Sequence, residues 1–125
     1  AKMEGAGLMT DLDSITKLQR ALCEKYGSEF LPPDPALKLG LARQTLRSMP
    51  ISGVRICPEN GTSGWYIYGG DHSDAADFYS PLHHSHLSVE LPMVIPYLAL
   101  APGFRFIIDD EGYEDVWYEP HDVSA

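Results

Sequence analysis

Phe104-Arg-Phe-Ile-Ile-Asp-Asp-Glu-Gly-Tyr-Glu-Asp-Val-Trp-Tyr-Glu119 reads as one β-hairpin, and it decides the class of the fold. Phe104, Phe106 and Ile108 alternate with Arg105 and Ile107, which is the two-residue period of a strand with one face turned inward. Asp109-Asp-Glu-Gly-Tyr113 is an acidic turn. The period then returns in Glu114–Glu119. Val116 and Tyr118 share one side, while Asp115, Trp117 and Glu119 share the other. Pro120 stops the strand. Trp117 therefore stands among carboxylates. Two readings of it remain open: an aromatic anchor in an acidic rim, or a core residue of an ordinary hairpin.

Working upstream, the same period marks two more strands. Gly53-Val-Arg-Ile-Cys57 places Val54 and Ile56 on one face, and Trp65-Tyr-Ile-Tyr68 is strongly β-prone. The turn formers of residues 58–64 join them as an antiparallel pair. Pro92 and Pro96 restrict the stretch before the hairpin to short turns, and Ala101-Pro-Gly103 is a turn.

Towards the N-terminus the period changes to that of a helix. Leu12, Ile15, Leu18, Leu22 and Tyr26 form one stripe over residues 11–26, with Thr10, Asp11 and Asp13 as capping oxygens and Gly27 as the stop. After the rigid Leu31-Pro32-Pro33, the pair Asp34-Pro35 predicts a second helix to about Ser48, burying Leu39, Ala42, Leu46 and Met49. Gly40 costs that helix about 1 kcal/mol. The expected fold is α+β: two N-terminal helices packed on a small, mainly antiparallel sheet of about four strands. Residues 1–9, small and Gly-rich, are expected to be a flexible leader or cloning remnant, and residues 10–125 a single α+β domain.

A chain of 125 residues with 44% hydrophobic content fits one domain with a real core. Its net charge of −9 is unevenly spread. Residues 1–50 carry seven bases and six acids, whereas residues 51–125 carry only Arg55 and Arg105 against twelve acids, a net of −10. Such a balance disfavours a phosphate-binding surface and favours a basic protein partner, or solubility alone. No apolar run approaches a membrane span. Neither nucleic acid, membrane nor cofactor is expected as a partner. Cys23 and Cys57, without a secretory signal, are expected to be buried and reduced, and the location cytoplasmic.

Catalytic motifs are lacking, so no enzyme is expected. One further cluster is the long polar connection 69–87, which holds His72 and His83-His84-Ser85-His86 downstream of Asp71, Asp74 and Asp77. In an extended segment His84 and His86 point to one side, and imidazole with carboxylate is zinc-binding chemistry. The alternative function is thus a small-ligand or metal-binding protein in which His83, His84 and His86 line a pocket against Trp65 and Tyr68. Ordinary loop histidines are the favoured reading.

Five pieces occur in order: Gly64-Trp-Tyr-Ile-Tyr68, Pro81-Leu-His-His-Ser-His-Leu87, Pro96-Tyr-Leu-Ala-Leu100, Ala101-Pro-Gly-Phe-Arg-Phe-Ile-Ile-Asp109 and Tyr113-Glu-Asp-Val-Trp-Tyr118. Over about residues 51–120 this set resembles the immunity-protein family numbered thirty-three, of bacterial polymorphic toxin systems. The resemblance implies a small cytosolic, non-enzymatic protein that neutralises a cognate toxin by binding it. The motif positions it brings forward are Trp65, Arg105, Asp109, Glu114, Asp115 and Trp117, with Arg105 expected to pair with a nearby acid. The partner-binding residues expected are Asp109, Asp110, Glu111, Glu114, Asp115 and Trp117, facing a basic toxin.

Overall fold

The structure is a computed structural model and describes residues 12–120. The leader 1–9 and the capping residues Thr10 and Asp11 lie outside the described residues. Helix α1 spans Leu12–Tyr26 and carries Asp13 in its first turn, where the helix dipole favours an acid. It ends as its sequence indicates: Gly27 takes φ +73°, and the Ser28 N–H bonds the Cys23 carbonyl at 2.8 Å. The buried stripe is turned by one residue from the expected one. Leu18 is 44% exposed, while Gln19 and Cys23 face inward, and Gln19 donates its amide to the Ile95 carbonyl at 2.9 Å. A polar residue enters the stripe because a carbonyl of the neighbouring segment meets it there.

Six strands follow: β1 Lys38–Leu41, β2 Ile51–Arg55, β3 Thr62–Gly69, β4 Ser80–His83, β5 Phe104–Ile108 and β6 Glu114–Tyr118. They form a single sheet in the order β4-β1-β3-β2-β5-β6. The β1–β3 pair is parallel and the other pairs are antiparallel, so the sheet is mixed. The hairpin and the β2–β3 pair are as expected. The sheet is larger than the expected four strands because β1 and β4 were not anticipated.

No second helix runs over residues 35–48. Asp34 spends its carboxylate on a local turn, accepting from the Ala36 N–H at 2.8 Å, and the chain then enters β1. Leu39 and Leu41 are buried at 1% and 0% exposure, a two-residue spacing that the sheet satisfies. Gly40 fits this arrangement closely, since a Cβ there would stand 2.6 Å from Cδ1 of the Tyr66 ring. Only a three-residue 3₁₀ turn, Arg43–Thr45, remains of the expected helix.

One face of the sheet carries the core. Leu41, Ile51, Trp65, Ile67, Phe106 and Ile108 belong to one buried cluster, against which Ile15, Leu22 and Tyr26 of α1 pack. The 3₁₀ segment Pro92–Tyr97 lies beside α1, and Tyr97 stacks on Phe106 with ring centroids 4.9 Å apart. Phe106 in turn covers Gly53, where a Cβ would come within 2.3 Å of Cε2. Burying a ring of this size is worth roughly 1.5–3 kcal/mol. The face of β2 that meets this core is Ile51, Gly53 and Arg55; Val54 and Ile56 share the opposite, half-buried face.

Candidate functional site

The hairpin β5–β6 pairs Phe104 with Tyr118, Arg105 with Trp117 and Ile108 with Glu114. Its turn is built by Asp109, whose Oδ1 accepts from the N–H groups of Glu111 and Tyr113, each at 2.9 Å. This Asp holds the loop shape, as Asp commonly does in turns. Asp110 and Glu111 stand exposed at the tip.

Strand alternation then separates the three functional candidates on β6. Val116 enters the core, whereas Asp115 and Trp117 face away from α1. Trp117 is half-buried, and its indole Nε1–H donates to Glu119 Oε1 at 2.7 Å. Arg105 lies opposite it with Nε 3.9 Å from the same carboxylate oxygen, so Arg105 pairs with Glu119, one residue past the end of β6. Trp117 is therefore neither core nor fully exposed.

Glu114 points towards α1 instead. Its carboxylate accepts from the Tyr26 hydroxyl at 2.5 Å, from Tyr97 at 2.5 Å and from Lys25 Nζ at 3.0 Å. Burial works against its charge, but the two hydroxyls and Lys25 outweigh that and hold the carboxyl below the ordinary glutamate range. The same contact, with burial foremost, pushes the Tyr97 phenol above its usual value.

The histidines do not converge. Residues 84–86 form a 3₁₀ turn and not an extended segment, so His84 and His86 diverge. His84 is buried at 8% exposure with Nε2 2.6 Å from Ser63 Oγ, while His83 and His86 are exposed and meet edge to face at 6.0 Å. Burial, with the charge of Arg55 behind it, pushes His84 down to about 4. His84 borders an open groove of about 480 Å³ between α1 and residues 95–98. The pocket expected against Trp65 and Tyr68 does not form, because strand alternation puts those two rings on opposite faces of β3. Among the described residues no group of three His, Cys, Asp or Glu side chains is placed to hold a metal ion. Neither cysteine is in a disulfide; Cys23 is buried, but Cys57 is exposed because it lies just past the end of β2.

Two features escaped the sequence reading. Arg55 is 4% exposed and donates to the carbonyls of Ser63 at 3.0 Å, Leu31 at 2.8 Å and Leu100 at 2.7 Å. It ties the α1–β1 connector to the sheet, and burial lowers its guanidinium to about 10. The second is an aromatic group on the face away from α1: Tyr79 packs on Tyr66 at 5.2 Å, and His72 and Phe78 pack on Tyr68 at 5.3 and 5.9 Å. The alternation of Trp65-Tyr66-Ile67-Tyr68 carried the signal for it. Among the described residues no helix is long and apolar enough to cross a membrane.

Comparison with known proteins gives a family match. The family described as Imm33-like domain matches residues 18–119, which takes in most of α1 as well as the whole sheet and so extends well beyond the motif-bearing half. No curated protein and no solved structure matches the chain.

Proposed function

Because the chain belongs to the Imm33-like family, we propose that it is a non-enzymatic immunity-type protein that binds and neutralises a cognate toxin through an acidic surface. The observation that carries the reading is β6. Trp117 is held in place by Glu119 on the open side of the sheet, beside exposed Asp115, with Asp110 and Glu111 at the adjoining tip. A pre-positioned aromatic in an acidic rim suits a tight interface, since Trp anchors carry much of such binding energy. Asp109 shapes the turn and Glu114 fixes β6 to α1. These two set the surface; Asp110, Glu111, Asp115 and Trp117 meet the partner. The net of −10 over residues 51–125 selects a basic toxin and speeds encounter with it. The site of action is the cytoplasm, in keeping with two free thiols.

The test is co-expression with the toxin domain encoded by the gene beside this one. Restored growth, with a purified complex whose affinity weakens as salt rises, supports the reading. Unrelieved toxicity, or flanking genes that encode no toxin, contradicts it.

A further inference from the structure

The face of the sheet turned away from α1 is aromatic, and its side chains are only partly covered. Tyr66 lies opposite Val54, Val54 opposite Arg105, and Arg105 opposite Trp117, so one row crosses β3, β2, β5 and β6. Tyr66, Val54 and Trp117 are all half-buried, as are Tyr68 and Ile107 in the next row. At about 4.8 Å per strand, the row from Tyr66 to Trp117 spans about 14 Å.

The row does not stop at β3. Tyr79 and Phe78, at the end of the 70–79 segment, continue it by packing on Tyr66 and Tyr68. That segment also carries Asp71, Asp74 and Asp77, all exposed, and the other end of the face has Asp110, Glu111 and Asp115, also exposed. The aromatic row thus has three carboxylates at each end. Of the two bases in residues 51–125, Arg55 is buried on the core side and Arg105 lies beside Glu119.

We propose that this whole face, from the 70–79 segment to the hairpin tip, is the docking surface, and that its occupant is a basic surface of the cognate toxin. The proposal rests on the immunity reading and deepens it by naming the site. Charge complementarity selects the occupant: apolar side chains of the toxin cover the aromatic row, and its Lys and Arg meet the carboxylates at both ends. Extent supports the extension: the hairpin alone is two strands wide, whereas the row crosses four strands and continues onto Phe78 and Tyr79 of the 70–79 segment.

The experiment titrates the toxin domain encoded beside this gene into the wild-type chain and four variants. Asp74→Lys/Asp77→Lys alters only exposed positions, Tyr68→Ala removes a ring of the row, Asp110→Lys/Glu111→Lys/Asp115→Lys reverses the hairpin, and Val89→Ala changes a side chain that is 83% exposed outside the face. The Asp74/Asp77 double variant and Tyr68→Ala are each expected to bind about tenfold or more weakly, with Val89→Ala unchanged. Circular dichroism confirms that Tyr68→Ala is folded, and the Asp74/Asp77 arm is decisive if it is not. If the Asp74/Asp77 variant binds as tightly as wild type while the hairpin reversal loses binding, the extended surface is wrong and the immunity reading stands. If the wild-type chain itself does not bind, both fall.

Discussion

The indole Nε1–H of Trp117 and the Nε of Arg105 converge on one oxygen of Glu119, at 2.7 and 3.9 Å. This fixes a large ring on the open face before any partner arrives. A side chain already held in one rotamer loses little entropy on binding, so more of its contact energy is retained. Trp117→Ala is expected to lower affinity for the toxin by about tenfold or more, about 1.4 kcal/mol. The melting temperature should change little, because the ring is outside the core. Calorimetric titration and a thermal melt of the same sample check both halves.

Gly40→Ala separates two folds by sign. In a helix over residues 35–48 it would stabilise by about 1 kcal/mol. In β1 the new methyl meets the Tyr66 ring, and with Tyr79 Cβ also 3.3 Å away there is little room to yield. The expected result is a loss of about 1–3 kcal/mol in urea unfolding.

Glu114 is the lock between the hairpin and α1. Its carboxyl is held below the ordinary range when folded, so it binds its proton less readily than in the unfolded chain. The contribution is therefore present above the unfolded glutamate value, about 4.3, and is lost as pH falls through the lower folded value. Glu114→Gln should flatten that acid limb in denaturant titrations from pH 5 to 2 and destabilise at pH 7 by about 1–3 kcal/mol. Toxin binding at neutral pH should be little changed once the variant is folded.

His84 works in a separate, higher window. Burial lowers it to about 4 when folded, against about 6.5 unfolded. The unfolded chain thus binds more protons between these values, and stability is full above about pH 6.5 and falls as pH drops towards 4. His84→Gln should remove most of that slope while keeping a partner for Ser63. Urea midpoints at pH 7, 6, 5 and 4.5 check it.

The parts of the fold that could be read from sequence are those whose signals are local. Gly27 and the three- and four-residue spacing gave α1, and Phe104-Arg-Phe-Ile-Ile with its acidic turn gave the hairpin. Residues 35–48 misled because Leu37, Leu39 and Leu41 fit a strand as well as Leu39, Ala42 and Leu46 fit a helix. Asp34-Pro35, a helix-start pair, was used for a single turn. What decided between them is pairing with β3 across more than twenty residues, which no local window contains. The same holds for β4, which lies within the stretch 69–87 read as a polar connection; its Pro81 pairs with Gly40 at the sheet edge, where proline is tolerated. Of the candidate site, alternation placed Trp117 on one side with Asp115 and Glu119 but left open whether that side was core or surface; the half-buried ring on the face away from α1 decides it. The separate duties of Asp109, Glu114 and His84 were not legible, because each is set by a partner distant in sequence or by the shape of a turn.

The most direct measurement is toxin binding and growth protection by the Asp110→Lys/Glu111→Lys/Asp115→Lys chain, whose three positions are exposed and carry no part of the core. Like charges set against each other at an interface cost several kcal/mol. The expected result is an unchanged thermal melt, an affinity lowered by roughly a hundredfold or more, and lost protection. Wild-type affinity and full protection in that variant would contradict an acidic docking surface.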